Sequence, residues 1–576
     1  MKKYLWLYLL ISCSLQPYKI NIIEELRDIP DELAAFHTDR WPQFMIDFYA
    51  QMKESLTHVK EQLVNLPETV YIKLFGSDKH AHDIAQVRFT DTDDISDEEK
   101  QFIMQRMGPV RKQLEKLFAI KMDDTKVPRI GFIFSGGGFR AMLMALGFLQ
   151  GAVETGLFDT ATYCACLSGS TWAMAPWIAS KKPISDFTKT LTEQLVQGID
   201  HISNPCEITD LFEIIIAKLL CNQLISTIDI YGCLLANTLL KNFVTNPLLI
   251  TFTDAHAPAY TAQIPLPIYT AIQSSHNPYE WMEFSPYETG GSFLKCYIPT
   301  WSYGRKFKNG TSTTNTPEQT LGYYMGLFGS AFELSLKDVI RLTASNISYI
   351  EYPLPFLLSD TLRKCISILV DSAIGNARPF PSILSNFTYQ CTQSPIADNH
   401  TIELVDAGID FNLPFPPLLR AARALDIVIV CDASSDIAGA PELKRAQQYA
   451  ERHGLKFPRI NYDLVASKHI SVWYEPRDPQ TPMIVYIPRI ANDSFPVDFN
   501  PDDCIRNSFC STFNFTYTQE QARLLCGFSK YIMTTEQQTI KDAIAYILKR
   551  KYGYAVATNS ALKPGYARCY DNTECY

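Results

Sequence analysis

Apolar residues recur along this chain in two rhythms, and each rhythm predicts a different element. Residues 45–66 carry them three and four apart, which predicts a helix. Another helical stretch starts at Pro30-Asp31-Glu32-Leu33, and residues 21 to about 75 read as mostly helical. The acidic run 91–97 is a turn-rich connector. Ser96, with Glu99 three residues on, has the form of a capping box and predicts a helix to about Ala119, broken by Asp123-Asp124 and Pro128. Residues 129–134 then read as a buried strand and Ser135-Gly136-Gly137-Gly138 as a tight turn. Residues 139–154 read as a helix stopped at Gly156. The same succession repeats with a strand over 163–167, a turn at Ser168-Gly169-Ser170 and a helix over 171–180. Strand, glycine turn and helix, twice over, is the pattern of an α/β fold.

Farther along the pattern is less regular. The middle of the chain reads as helices alternating with loops, with proline-rich loops at Pro265-Leu266-Pro267, Pro286 and Pro353-Leu354-Pro355. Residues 378–400 show little periodicity and read as a mobile flap. Residues 425–430 form another buried strand, ending at Cys431-Asp432-Ala433-Ser434, and the last long helix covers 536–551. There is no internal repeat and no low-complexity tract.

Composition narrows the class. With 47% hydrophobic and 20% charged residues in 576, the chain has a globular composition, which excludes disorder along its whole length. The net charge of −9 and the lack of a basic run argue against a nucleic-acid partner. No stretch approaches the roughly 20 apolar residues that span a bilayer. Lys2 and Lys3 ahead of an apolar run to Ile11 read as an export signal. Leu10-Ile11-Ser12-Cys13 resembles a bacterial lipoprotein box with Cys13 as the lipidated residue. The expected location is therefore exported or at a membrane surface, with the cytoplasm as the alternative. Among 15 cysteines, Cys504/Cys510 and Cys569/Cys575 are spaced for small disulfide loops, whereas Cys164 and Cys166 alternate in an apolar run and are expected to pack as small hydrophobes. No cysteine or histidine spacing fits zinc, so no metal site and no cofactor are expected.

The chemistry sits at the turns. A nucleophilic serine needs a sharp strand-to-helix turn with small neighbours, and Cys166-Leu167-Ser168-Gly169-Ser170 provides one for Ser168, although Ser170 can also be read as a helix N-cap. Gly136-Gly137-Gly138 opens a helix, where amide groups point outward at developing negative charge. The same turn would suit a nucleotide phosphate, but it is neither G-x-G-x-x-G nor a P-loop. Arg140, in the first turn of that helix, has the reach to pair with a phosphate. Asp406, in Leu404-Val405-Asp406-Ala407-Gly408, is a candidate base because an apolar setting raises carboxylate basicity.

Several of these segments resemble the cytosolic phospholipase A2 / fungal phospholipase B family. The residues 134–142 around Ser135-Gly136-Gly137-Gly138-Phe139-Arg140 are similar to its oxyanion loop. Leu167-Ser168-Gly169-Ser170-Thr171-Trp172 is similar to its nucleophile turn. Trp281-Met282-Glu283-Phe284-Ser285-Pro286-Tyr287-Glu288 and Phe328-Gly329-Ser330-Ala331-Phe332 match two further segments. Val405-Asp406-Ala407-Gly408 with Asn412-Leu413-Pro414 matches the segment of the catalytic aspartate. The resemblance runs from about Asp97 to Lys551, with Cys166 standing where the family usually has glycine. It implies a three-layer α/β/α patatin-like core with a helical N-terminal extension and inserted cap or lid elements. It implies a Ser168–Asp406 dyad without histidine, Gly137 and Gly138 as oxyanion donors, and Arg140 at the lipid phosphate. The expected domains are a signal or lipoprotein segment 1–20, a helical extension 21–95, a catalytic domain 96–555 and a tail 556–576. The expected activity is hydrolysis of the fatty-acyl ester of a glycerophospholipid or lysophospholipid at a membrane surface, without calcium, since neither a calcium-binding C2 domain nor a calcium-ligand pattern is visible. Two other readings are a Ser-His-Asp esterase using Asp406 or Asp432 with His453 or His469, and a catalytically silent lipid-binding protein.

Overall fold

The computed structural model describes residues 79–195, 226–331 and 381–556, apart from 81, 91, 92, 508 and 513. The segment 1–20 with Cys13, most of the helical extension, Pro353-Leu354-Pro355, the pair Cys569/Cys575 and residues 557–576 of the tail lie outside these residues. In chain order the elements are β1 (Arg88–Phe89), α1 (Asp97–Phe118), β2 (Ile130–Phe134), α2 (Gly138–Glu154), β3 (Tyr163–Cys166), α3 (Gly169–Ser180), α4 (Ile184–Gln194) and α5 (Thr227–Leu240). Next come β4 (Leu266–Gln273), β5 (Glu280–Phe284), β6 (Glu288–Gly291), β7 (Cys296–Pro299), α6 (Leu321–Phe328), β8 (Ser382–Ser385), β9 (Thr401–Asp406) and β10 (Ile427–Asp432). The chain continues through α7 (Pro441–Arg452), β11 (Ser471–Trp473), β12 (Met483–Pro488), α8 (Pro501–Asn507), α9 (Gln519–Thr535) and α10 (Gln537–Arg550).

Among the described residues these twelve strands join one mixed sheet in the order β1-β7-β6-β5-β4-β3-β2-β10-β12-β11, with β9 also paired to β4 and β8 to β9, while Phe307–Lys308 and Thr311–Ser312 pair separately as a small hairpin. The strands β4, β3, β2, β10 and β12 run parallel. Every residue of these five is buried, because helices cover both faces and no side of the strand can be polar. The pleat separates two cores. Phe132, Phe134, Cys164, Cys166, Ile429 and Cys431 face α2, α3, α9 and α10. Ile133, Ala165, Val428 and Val430 face Phe102 and Ile103 of α1 and Leu443, Ala446 and Ala450 of α7. Cys164 and Cys166 are core residues, as their spacing predicts, and Cys504 and Cys510 are joined in a disulfide.

Three stretches differ from their sequence reading. Residues 266–299 form the antiparallel run β4–β7 instead of helices and loops. Strands buried on both faces lose the alternation that marks a half-exposed strand, and β6 contributes two glycines. Within 378–400, the described residues are a strand and hydrogen-bonded turns anchored on β9, so the segment is built in rather than a flap. The described end of the helical extension is extended chain, with β1 paired to β7.

Ser96 caps α1, accepting the Glu99 N–H at 3.1 Å, but Glu99 does not reach back to complete the box. Its carboxylate turns inward to Arg423 at 2.8 Å and to the Tyr163 hydroxyl at 2.8 Å. Arg423 also donates to Glu283 at 2.7 Å, and Arg420 reaches both Glu283 and Asp93. This buried ion cluster locks α1, β3 and β5 to the loop that follows Asp406. Removing one member strands buried charge, so Glu283→Ala should destabilise the fold by roughly 3–5 kcal/mol in urea unfolding. A loss below about 1 kcal/mol would show that the cluster is dispensable.

Candidate active site

Ser168 and Asp406, 238 residues apart, meet where β3 and β9 end. β3 stops at Cys166 and α3 begins at Gly169, so Ser168 occupies the turn with φ 51° and ψ −121°. A non-glycine residue pays for a positive φ with strain of order 1–3 kcal/mol, which the surroundings must hold. Ser170 supplies part of the hold. Its hydroxyl accepts the Leu167 N–H at 2.9 Å and donates to the Phe134 carbonyl at 2.8 Å, stitching this turn to the end of β2. Ser168, not Ser170, stands at the N-cap position. Gly169 must lack a side chain because a Cβ there would lie 2.0 Å from the Gly138 carbonyl oxygen. The two glycine-bearing turns therefore touch backbone to backbone. Cys166 in place of glycine does not disturb this geometry, since its side chain points into the core.

The second turn follows β2. Gly137 and Gly138 have φ of 131° and 65°, which only glycine adopts readily. They open α2, and the first N–H groups of a helix have no intrahelical acceptor. Gly136 donates to the Asn412 carbonyl at 3.0 Å. The turn passes directly beside Ser168, with the Cβ position of Gly136 3.2 Å from Ser168 Cβ.

Asp406 is the last residue of β9 and is fully buried. Its Oδ2 accepts the Ser168 hydroxyl at 2.8 Å, and its Oδ1 accepts the Gly408 N–H at 2.8 Å. The Ala331 N–H also bonds the carboxylate, while the Asp406 N–H donates to Ser330 Oγ at 2.9 Å. Burial dominates these bonds and pushes the carboxyl up to about 7. Such a group is partly ionised at neutral pH and basic enough to take a serine proton.

Arg140 lies under the glycine turn and is fully buried. Its Nε donates to the Ala433 carbonyl at 3.0 Å, and Nη1 donates to the Cys510 carbonyl and Thr512 Oγ1. Nη2 has no partner and lies 2.5 Å from the Cβ position of Gly137.

The histidines of the triad reading and its alternative acid, Asp432, have other partners. His453 stacks on Tyr449 and sits 4.0 Å from Glu280, and His469 bonds the Ala491 carbonyl at the surface. Asp432 accepts from Tyr486 and the Ser434 N–H. Among the described residues no imidazole bonds Ser168 or Asp406. Also among these residues, no group of three His, Cys, Asp or Glu is placed to hold a metal ion.

Ser330, Ala331, Gly408 and Asn412 contribute contacts that residue-type reasoning did not assign. Asn412 is a hinge point: its carbonyl holds Gly136, its N–H goes to Glu442, and its side chain lies between Gly136 and Gly408. The segments Phe328-Gly329-Ser330-Ala331-Phe332 and Asn412-Leu413-Pro414 carried the signal without a role attached.

The family described as lysophospholipase catalytic domain matches residues 130–452, more than half of the chain. Human cytosolic phospholipase A2 zeta is 26% identical over 541 aligned positions, covering 79% of this chain and 62% of that protein. The chain thus spans less than two thirds of the length of that relative. The structure of human GIVD cytosolic phospholipase A2 superposes with a TM-score of 0.66 at 20% identity, covering 80% of this chain and 68% of the other. The same human enzyme in complex with methyl gamma-linolenyl fluorophosphonate gives a TM-score of 0.62 at 22% identity, covering 81% and 66%. The likeness identifies the fold as the expected α/β architecture.

A carboxyl raised on folding costs stability once it ionises. The unfolded value is near 3.9, so full stability holds below about pH 4 and is lost as pH rises through about 7. Asp406→Asn should therefore be more stable than the parent at about pH 8, with the gain vanishing toward pH 4, in urea titrations at both pH values. A variant less stable at the higher pH would mean that the carboxylate is not penalised by burial.

Proposed function

This chain belongs to the lysophospholipase catalytic-domain family, and from that membership we propose that it is a phospholipase of the A2/B or lysophospholipase type. The observation that carries the proposal is the 2.8 Å hydrogen bond between Ser168 Oγ and Asp406 Oδ2 in a fully buried site. Ser168 attacks the fatty-acyl carbonyl of a glycerophospholipid while Asp406 takes its proton. The Gly137 and Gly138 N–H groups receive the oxyanion, at a helix N-terminus that favours negative charge. Collapse expels the lysophospholipid alcohol, which takes the proton from Asp406. Water, deprotonated by Asp406, then cleaves the acyl-Ser168 ester and releases the fatty acid. An ester has a good leaving group, so a carboxylate near pKa 7 suffices as the base.

The substrate brings the protein to a membrane surface. The Lys2–Cys13 start supports export or lipid tethering, while the word cytosolic in the name of the human relative supports the alternative compartment. The mass of the N-terminal peptide from the native host distinguishes the two.

Ser168→Ala and Asp406→Ala should each abolish release of fatty acid from defined phospholipid micelles, read by mass spectrometry, with circular dichroism unchanged. His453→Ala and His469→Ala should stay near the parent rate. In the parent enzyme, kcat/KM should fall about tenfold per pH unit below about 7 as Asp406 is protonated. Nearly full activity in Asp406→Ala would eliminate the dyad.

Arg140 is the proposed contact for the substrate phosphate, on the ground that its unpartnered Nη2 lies against the oxyanion turn. Arg140→Gln should lower phospholipid hydrolysis more than hydrolysis of a neutral ester of equal chain length. Equal losses on both would assign Arg140 to holding Cys510 and Ala433 alone.

A further inference from the structure

Arg489, the residue after β12, is fully buried, and its charge acts on Arg140. Its Nε donates to the Ser434 carbonyl at 3.1 Å, and its Nη2 donates to the Ser435 carbonyl at 3.1 Å and to Asp502 at 2.9 Å. Its Nη1 is buried without a partner, and so is the Ser434 hydroxyl. Arg140 hangs from the preceding carbonyl, Ala433, with Nη2 unpartnered. The two guanidiniums thus hang from consecutive residues of one loop, each with a free nitrogen.

Arg140 has no counter-charge bonded to it. All partners of Arg140 are neutral oxygens. Burial first, and then the charge of Arg489, push its pKa down to about 10. The carboxylates acting on the pair are Asp502, half exposed and bonded to Arg489, and Asp432, whose oxygens accept from Tyr486 and the Ser434 N–H. A buried cation with no counter-charge bonded to it is costly, so Arg140 is short of an anion while Arg489 already holds Asp502. The location fits one. Gly136–Gly138, Ala433–Ser434 and Arg489 follow the carboxyl ends of β2, β10 and β12. From β2 the parallel strands continue to β3 and β4 on one side and to β10 and β12 on the other. Ligands of open α/β sheets bind in the crevice at such a switch point.

We propose that Arg489 and Ser434 join Arg140 in a site for a doubly charged phosphate group. Two guanidiniums, each with one unpartnered terminal nitrogen, match a phosphate monoester better than the singly charged diester of a choline lipid. The site selects substrates whose headgroup is a bare phosphate, or it takes free phosphate as a regulating ligand; the lipid arm rests on the activity proposed above.

The test begins with the melting temperature of the full chain in inorganic phosphate, against chloride at equal ionic strength. Phosphate should raise it in the parent, and more so in Asp502→Asn, which removes a competing anion at the protein surface. The rise should vanish in Arg489→Gln. No protection of the parent, protection that survives Arg489→Gln, or no strengthening in Asp502→Asn overturns the proposal. The second arm compares phosphatidic acid with phosphatidylcholine in mixed micelles. A phosphatidic-acid preference that falls about tenfold in Arg489→Gln, the loss of one charge-assisted bond, identifies the lipid headgroup. Loss of phosphate protection with an unchanged ratio identifies free phosphate. A parent that hydrolyses neither lipid refutes the activity but leaves the melting experiment decisive for the site.

Discussion

One contact, between the Ser168 hydroxyl and the Asp406 carboxylate, makes demands on nearly every part of this structure. β3 and β9 share one edge of β4, opposite β5: Cys166 pairs with Tyr269 and Asp406 with Ala271, so the two strands end two residues apart along β4. Running in opposite directions along that edge, they converge at their carboxyl ends, and each leaves the sheet there in a sharp bend. On the serine side that bend is the strained turn at φ 51°, held by Ser170 and by a glycine-only approach to Gly138. On the aspartate side it is the tight turn to Gly408, whose N–H caps the carboxylate. The ion cluster of Glu99, Glu283, Arg420 and Arg423 then clamps the loop after Asp406 to the sheet.

The same contact explains the electrostatics. Three donors to the Asp406 carboxylate would ordinarily make it a strong acid, yet complete burial outweighs them. The outcome is a carboxylate basic enough to accept the Ser168 proton without an imidazole, as the proposed mechanism requires. Keeping water out also strengthens the amide groups of the glycine turn, because hydrogen bonds to charge gain as the local dielectric falls. Arg140 and Arg489 extend the positive field from that turn toward β10 and β12.

The site was legible in the sequence wherever a turn stood between strongly patterned elements. Gly136–Gly138 and Ser168 each sit between an apolar strand and a helix, so local pattern located them. Asp406 was harder, because an aspartate ending an apolar stretch is usually a turn cap, and in fact it caps the Gly408 N–H as well. Only the run of motifs resembling one family singled it out. Ser330 and Asn412 act through tertiary contacts, one from the end of α6 and one from a loop, and no local pattern announces such contacts. The antiparallel strands β4–β7 were hidden for a related reason. Burial on both faces removed their alternation, and prolines at Pro265, Pro267 and Pro286 imitated loops. Arg489 gave no signal at all, since its meaning depends on its charge acting on Arg140.

The central claim is that Ser168, activated by Asp406 alone, is the nucleophile, and covalent capture tests it most directly. The intact protein would be treated with a fluorophosphonate ester across a pH series, and the modified residue mapped by peptide mass spectrometry. The account predicts a single adduct on Ser168 whose rate of formation rises with pH through about 7 and collapses in Asp406→Asn. An adduct on another residue, or labelling of Ser168 at the parent rate without the Asp406 carboxylate, would contradict it.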